Sequence, residues 1–128
     1  MNSSAKVQQQ SLSTEAINDL IIDSIQDVKG KKIVKLDLRQ LDDAPTDFFI
    51  VCEGDSNTQV KDISDKIHRR LKQEGHVLPS HMEGQKNSLW ICMDYFTTVV
   101  HVFYKETRQF YELEQLWSDA LLTEYESL

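Results

Sequence analysis

The sequence predicts a single α+β (α/β-like) domain, one mixed β-sheet of about five strands with helices packed on it in the order α-β-β-α-β-β-β-α. Three observations predict it. Apolar residues recur at helical spacing in three separated segments, the runs between them are β-branched and aromatic, and two of those runs stand only a few residues apart, as in a hairpin. No segment repeats and no internal linker is long enough to divide the chain.

Met1 to Leu12 are Ser- and Gln-rich, with neither the apolar stretch of a signal peptide nor the Arg-rich pattern of a transit peptide, and are expected to be a disordered tail before a domain spanning 13–128. Ile17, Leu20, Ile21, Ile25 and Val28 form the first helical stripe, with Ser13 or Thr14 as its cap and Gly30 marking its end. Val34, Leu36 and Leu38 then alternate with Lys35, Asp37 and Arg39, the pattern of a strand with one buried and one wet face; Asp42-Asp43-Ala44-Pro45 breaks it. Asp47-Phe48-Phe49-Ile50-Val51-Cys52 is a short unbroken apolar run, expected to be a central strand covered on both faces.

Ser56 and Gln59 suit a capping box for a helix carrying Val60, Ile63, Ile67 and Leu71 and stopped at Gly75. His76 to Gln85, with Pro79 and Gly84, reads as an edge strand or irregular connection. Leu89 to Tyr95 and Thr98 to Tyr104 read as an antiparallel hairpin. Phe110, Leu113, Leu116, Trp117, Ala120 and Leu121 then make a closing helical stripe.

Composition narrows the function. Fourteen basic against twenty-one acidic residues give a formal charge of −7, which repels phosphate backbones and disfavours direct nucleic-acid binding while leaving a basic protein partner open. The basic cluster of Lys66, His68, Arg69, Arg70 and Lys72 lies in one amphipathic helix and reads as a solvated face. No apolar run approaches the roughly 20 residues of a membrane span. Cys52 and Cys92, each inside an apolar run, suit free thiols in a reducing cytoplasm.

Enzyme chemistry finds little support. His76, His81 and Glu83 match no compact zinc spacing, so neither a metal nor a cofactor is expected. His101 could approach Cys92 across the hairpin, but a nucleophile also needs a third group to orient the histidine, and there is no Gly-x-Ser-x-Gly elbow. Gly54-Asp55-Ser56-Asn57 sits at a strand–turn–helix junction, yet it has one glycine and a competing carboxylate, which favours helix capping over phosphate binding. The layout resembles that of nucleotidyltransferases, whose paired strand carboxylates hold two metal ions. Asp94 is followed by Tyr95 and Phe96 without a second carboxylate, so no catalytic residue is assigned. A divergent nucleotidyltransferase-like enzyme is the competing reading from another class.

From Thr46-Asp47-Phe48-Phe49-Ile50-Val51 to Asp119-Ala120 the chain resembles the Iojap, or ribosomal silencing factor, family. The resemblance rests on that strand, then Gly54, Gln59-Val60, Ile63, Pro79 and Glu83-Gly84. Its most distinctive stretch is Trp90-Ile91-Cys92-Met93-Asp94-Tyr95 with Val99-Val100-His101-Val102-Phe103, and it closes on Tyr111-Glu112-Leu113-Glu114-Gln115-Leu116-Trp117. One departure is Phe96-Thr97, where many members have Gly-Asp.

The resemblance implies a non-enzymatic cytoplasmic factor that binds ribosomal protein L-fourteen on the large ribosomal subunit. There it blocks joining of the small subunit and represses translation during nutrient shortage. An assembly role in large-subunit maturation would use the same docking surface, and self-association as a homodimer is left open. Strand parity places Trp90, Cys92 and Asp94 on one face and Leu89, Ile91, Met93 and Tyr95 on the other, which looks like core. An aromatic anchor sharing a face with a carboxylate suits a basic partner, so Trp90 and Asp94 are candidate partner-binding residues. Asp47, His101 and Tyr111 complete the candidate set.

Overall fold

The structure is a computed structural model that describes residues 12–128. The expected tail, 1–11, lies outside the described residues. Leu12, grouped with that tail by composition, is half-buried against the core. It reaches so close to Gly75 that a Cβ there would stand 3.0 Å from its Cδ1.

Helix α1 (Thr14–Asp27) is capped by Ser13, whose hydroxyl accepts from the Ala16 N–H at 3.1 Å. Strand β1 (Lys31–Asp37) and strand β2 (Phe48–Gly54) pair antiparallel. Lys32 takes a positive φ of 49° and the register shifts there, so that consecutive Ile33 and Val34 are both buried. Beyond the bulge Val34 and Leu36 are buried while Lys35 and Asp37 stay partly exposed, as the alternation predicts. All seven residues of β2 are buried, in accord with its unbroken apolar run.

Helix α2 (Asn57–Gly75) starts at Ser56, which accepts from the Gln59 N–H at 3.1 Å, while Gln59 Oε1 accepts from the Asp55 N–H at 2.7 Å. The reciprocal bond thus falls one residue earlier than in the usual capping box. The left-handed residue that ends this helix is His76 (φ 55°), not Gly75, which is helical and buried. Gly75 instead provides the room that Leu12 fills.

Strand β3 (His81–Glu83) is a three-residue edge, and β4 (Trp90–Asp94) and β5 (Thr98–Tyr104) form the expected hairpin. Among the described residues the sheet order is β3-β4-β5-β2-β1-β6, with only the β2–β5 pair parallel. Its two faces carry separate cores. Ile50 and Cys52 of β2, Ile91 and Met93 of β4 and Val100 and Val102 of β5 pack with α1 and α2, while Phe49, Val51, Val34, Leu36 and Phe103 form the opposite core with Leu113.

The C-terminal part departs from the sequence expectation. One closing helix is replaced by α3 (Lys105–Tyr111), a left-handed Glu112 (φ 48°), and the single turn α4 (Leu113–Leu116). Strand β6 (Leu121–Tyr125) follows and pairs antiparallel with β1. Among the described residues the sheet therefore holds six strands, against the expected about five. The apolar stripe is helical in period, but Phe110 and Leu116 are largely exposed, so it was never one buried face. Pairing with the free edge of β1 outweighs the weak local preference.

The basic cluster on α2 is also not uniformly solvated. Arg70 donates to Asp23 and Asp27 of α1 and to Glu74, and Lys66 pairs with Asp27, so two of its cations hold the helices together. Among the described residues no helix is long and apolar enough to cross a membrane.

Candidate functional site: the aromatic face of the sheet

The sheet face opposite α1 and α2 is covered over β1 and β2 by the C-terminal segment but is only partly covered over β4 and β5. Strand alternation aims Trp90, Cys92 and Asp94 of β4 at this face, and each is partly exposed while Ile91 and Met93 are buried beneath. Pairing Trp90 with Phe103 and Cys92 with His101 brings an indole, an imidazole and a phenyl ring together.

Their contacts are specific. The Trp90 ring stacks on Phe103 (centroids 4.8 Å apart, 28° between planes), and Tyr111, delivered by the end of α3, closes on Trp90 at 4.7 Å. Phe49 meets His101 edge-on at 4.7 Å, and Trp117 meets Phe49 at 6.0 Å. Edge-to-face and offset contacts of this kind add about 0.5–1.5 kcal/mol each beyond burial. The Trp90 indole N–H donates to His101 Nδ1 at 3.0 Å.

Gly84 seats Trp90. Its φ is +92°, and a Cβ there would lie 1.9 Å from the Trp90 carbonyl oxygen, so only glycine fits where that loop crosses the start of β4.

Of the five candidates, Trp90, His101 and Tyr111 are thus brought together, the histidine being buried and the tyrosine exposed. Asp94 and Asp47 are not. Asp94 shares the face of Trp90, but Cys92 intervenes, and four steps along the strand at roughly 3.3 Å each separate the two positions. Asp94 Oδ1 accepts from the Phe96 N–H at 2.8 Å, holding a turn in which Phe96 has φ 74°. Phe96 therefore occupies a left-handed position that a glycine would take without strain. Asp47 is exposed at the start of β2, near that same turn, with Thr46 donating to the Phe96 carbonyl and the Phe48 N–H to the Thr97 carbonyl.

The structure adds residues that the sequence reading did not single out. Phe49, Phe103 and Trp117 complete the aromatic cluster; the alternate placement of Phe49 on β2 and Phe103 on β5 was the available signal, whereas Trp117 follows α4 and had none. Asp42, Asp43 and Asp119 line a cleft of about 410 Å³ beside Trp117, so carboxylates edge the aromatic face at this corner. A larger cleft of about 670 Å³ opens between α3–α4 and β1–β6. Buried Arg108 anchors it, donating to Glu53 at 3.2 Å, to Glu114 at 2.8 Å and to the Lys32 carbonyl at 2.7 Å.

Cys92 lies directly opposite His101, as the hairpin expectation required. Yet His101 Nδ1 already accepts from Trp90, and burial with nearby Glu83 and Asp94 raises the Cys92 thiol to about 11, so it is protonated at neutral pH. Cys52 is wholly buried and raised to about 12 for the same primary reason, desolvation.

Fold and face together define a small mixed-sheet α+β domain whose distinctive surface is an aromatic cluster edged by carboxylates. Residues 11–128 match the family model described as "Ribosomal silencing factor during starvation". The chain is 32% identical over 117 residues to the ribosomal silencing factor RsfS of Halalkalibacterium halodurans, a match covering 91% of this chain and 98% of that one. A crystal structure from Chromobacterium violaceum superposes with a TM-score of 0.79 at 34% identity, over 84% of this chain and 88% of that one. A mouse protein named for mitochondrial assembly of the ribosomal large subunit is 31% identical over 78 residues, which span 57% of this chain and 33% of that protein. The chain belongs to the ribosomal silencing factor family.

Proposed function

We propose that this chain is a translational repressor that binds the large ribosomal subunit through ribosomal protein L-fourteen and, by occupying that surface, keeps the small subunit from joining when nutrients are short. It acts in the cytoplasm, by steric exclusion rather than catalysis. The observation that carries this reading is the family match across 11–128. The aromatic face supports it physically: Trp90 and Tyr111 offer rigid, partly exposed anchors, and Asp42, Asp43, Asp94 and Asp119 complement a basic ribosomal protein. A formal charge of −7 keeps the domain from tracking ribosomal RNA directly.

A role in maturation of the large subunit is the second reading, favoured by the name of the mouse relative. Both roles use the same docking surface. Residues 13–128 form the functional domain in either case, and removing residues 1–10 leaves binding intact.

Titration of purified L-fourteen with the chain tests the contact. Saturable binding that weakens as salt rises is expected, since opposite charges meet. Absence of binding, with intact large subunits still bound, would replace L-fourteen by another component of the subunit.

A further inference from the structure

The tip of the β4–β5 hairpin holds its backbone in a costly shape around a residue that contributes little to the fold. The Thr97 N–H donates to the Tyr95 carbonyl two residues back at 3.0 Å, and Phe96 between them has φ 74°, which closes the strained hand of the γ-turn. A bulky side chain rarely takes a positive φ, whereas glycine takes it freely. The Phe96 residue is 68% exposed, and neither core cluster of the described residues includes it. Burial therefore does not offset the strain, and uncompensated strain at an exposed position points to function.

The tip is nonetheless rigid. Asp94 Oδ1 accepts from the Phe96 N–H at 2.8 Å, and the Thr46 hydroxyl donates to the Phe96 carbonyl at 3.2 Å. The Phe48 N–H donates to the Thr97 carbonyl at 3.0 Å, and the hydroxyls of Thr97 and Thr14 bond at 3.0 Å, which ties the tip to β2 and to α1. With the backbone fixed, only the two side-chain torsions of Phe96 remain to be ordered on binding, the property of a pre-organised aromatic anchor.

The charges beside the ring select what it meets. Asp94, at the end of β4, and exposed Asp47, before β2, flank the turn. One oxygen of Asp94 holds the turn, which leaves the other for a partner. Arg39, the cation whose charge reaches Asp47, forks onto Asp37 instead, at 2.8 and 3.0 Å. Two carboxylates beside an exposed aromatic ring repel a phosphate and suit a guanidinium, which stacks on the ring while donating to the carboxylates.

We propose that Phe96, with Asp47 and Asp94, is a second docking anchor that takes an arginine side chain of a basic ribosomal protein. This anchor rests on the large-subunit docking proposed above and adds to it a contact at the end of β4 remote from Trp90. Four strand steps of roughly 3.3 Å separate Trp90 from Asp94, and an interface of about 800 Å² per partner spans more than that, so a single partner surface reaches both ends.

Binding of the full chain to purified large ribosomal subunits, measured beside melting temperature, is the test. Phe96→Gly relieves the turn and removes the ring, so it should melt at or above the wild-type temperature and bind about tenfold or more weakly. Phe96→Tyr keeps the ring and should bind as the wild type does. Phe96→Leu keeps apolar bulk without a ring face and should weaken binding as Phe96→Gly does. Asp47→Asn should weaken binding and make its dependence on salt shallower. A wild type that binds no large subunit removes the docking and this anchor together. Where the wild type binds, equal affinity in Phe96→Gly, Phe96→Leu or Asp47→Asn overturns the anchor alone, and so does a marked fall in the melting temperature of Phe96→Gly.

Discussion

The indole N–H of Trp90 donates to Nδ1 of His101 at 3.0 Å, joining β4 to β5 across the aromatic face. With Nδ1 acting as acceptor, the imidazole proton resides on Nε2, a buried atom with no hydrogen-bond partner among the described residues. This bond sets the tautomer of His101 and the tilt of Trp90 together.

Acid should therefore destabilise the fold through His101 before it reaches most carboxylates. Burial lowers this histidine from 6.5 to about 4, so the unfolded chain binds the proton first. The stability it contributes is complete above pH 6.5, falls as pH drops toward 4, and is gone below that. At 1.36 kcal/mol per tenfold the loss amounts to roughly 3 kcal/mol. Urea unfolding of wild type and His101→Gln across this range checks it: the wild type should lose stability and the variant should be nearly flat. Parallel curves would remove His101 as the cause.

Trp90 packs in the aromatic cluster and is proposed as a docking anchor, and two substitutions separate the roles. Trp90→Phe keeps an aromatic ring on Phe103 but leaves His101 Nδ1 buried and unpaired, a loss of about 1–3 kcal/mol of stability. Trp90→Ala should in addition weaken binding to L-fourteen by about 2 kcal/mol or more, as at an interface hot spot. Full affinity in a folded Trp90→Ala protein would exclude this face from the contact.

Asp94→Asn is expected to leave the melting temperature unchanged, because the amide oxygen still accepts from the Phe96 N–H. If its charge faces a basic partner, affinity falls and its dependence on salt becomes shallower. An unchanged salt slope would confine Asp94 to the turn.

Arg108 is the buried cation that fixes the C-terminal segment, with side-chain exposures of 8% for itself and 10% for Glu53. Arg108→Ala strands the Glu53 carboxylate and should cost about 3–5 kcal/mol of stability. Replacing both, as Arg108→Met with Glu53→Met, should recover most of that loss in the same urea measurement. A double variant no more stable than the single one would show that the pair is not the source.

The sequence reading succeeded where one strand face decides the pattern. The unbroken run from Phe48 to Cys52 foretold a strand buried on both sides, and the alternation from Leu89 to Tyr95 placed Trp90 and Asp94 together on a face. It failed where a distant partner decides. Phe110, Leu113, Trp117 and Leu121 satisfy helical spacing, but the chain breaks at Glu112, beside an Arg108 held by a carboxylate 55 positions earlier. That competition leaves no local trace, so the helical stripe ends at Leu121, the first residue of a strand that the pattern does not announce. The Trp90–His101 bond was hidden for a related reason, since it depends on the hairpin register. Parity also gave no distance, and Trp90 and Asp94 prove to sit at opposite ends of β4.

The most direct test of the central claim is to mix purified large and small ribosomal subunits with increasing amounts of the chain and resolve them on sucrose gradients. The account expects the joined-ribosome peak to shrink as the chain is added, with the chain found on free large subunits and depleted from joined ribosomes. Equal occupancy of joined ribosomes and free large subunits, with the joined peak undiminished, would contradict it.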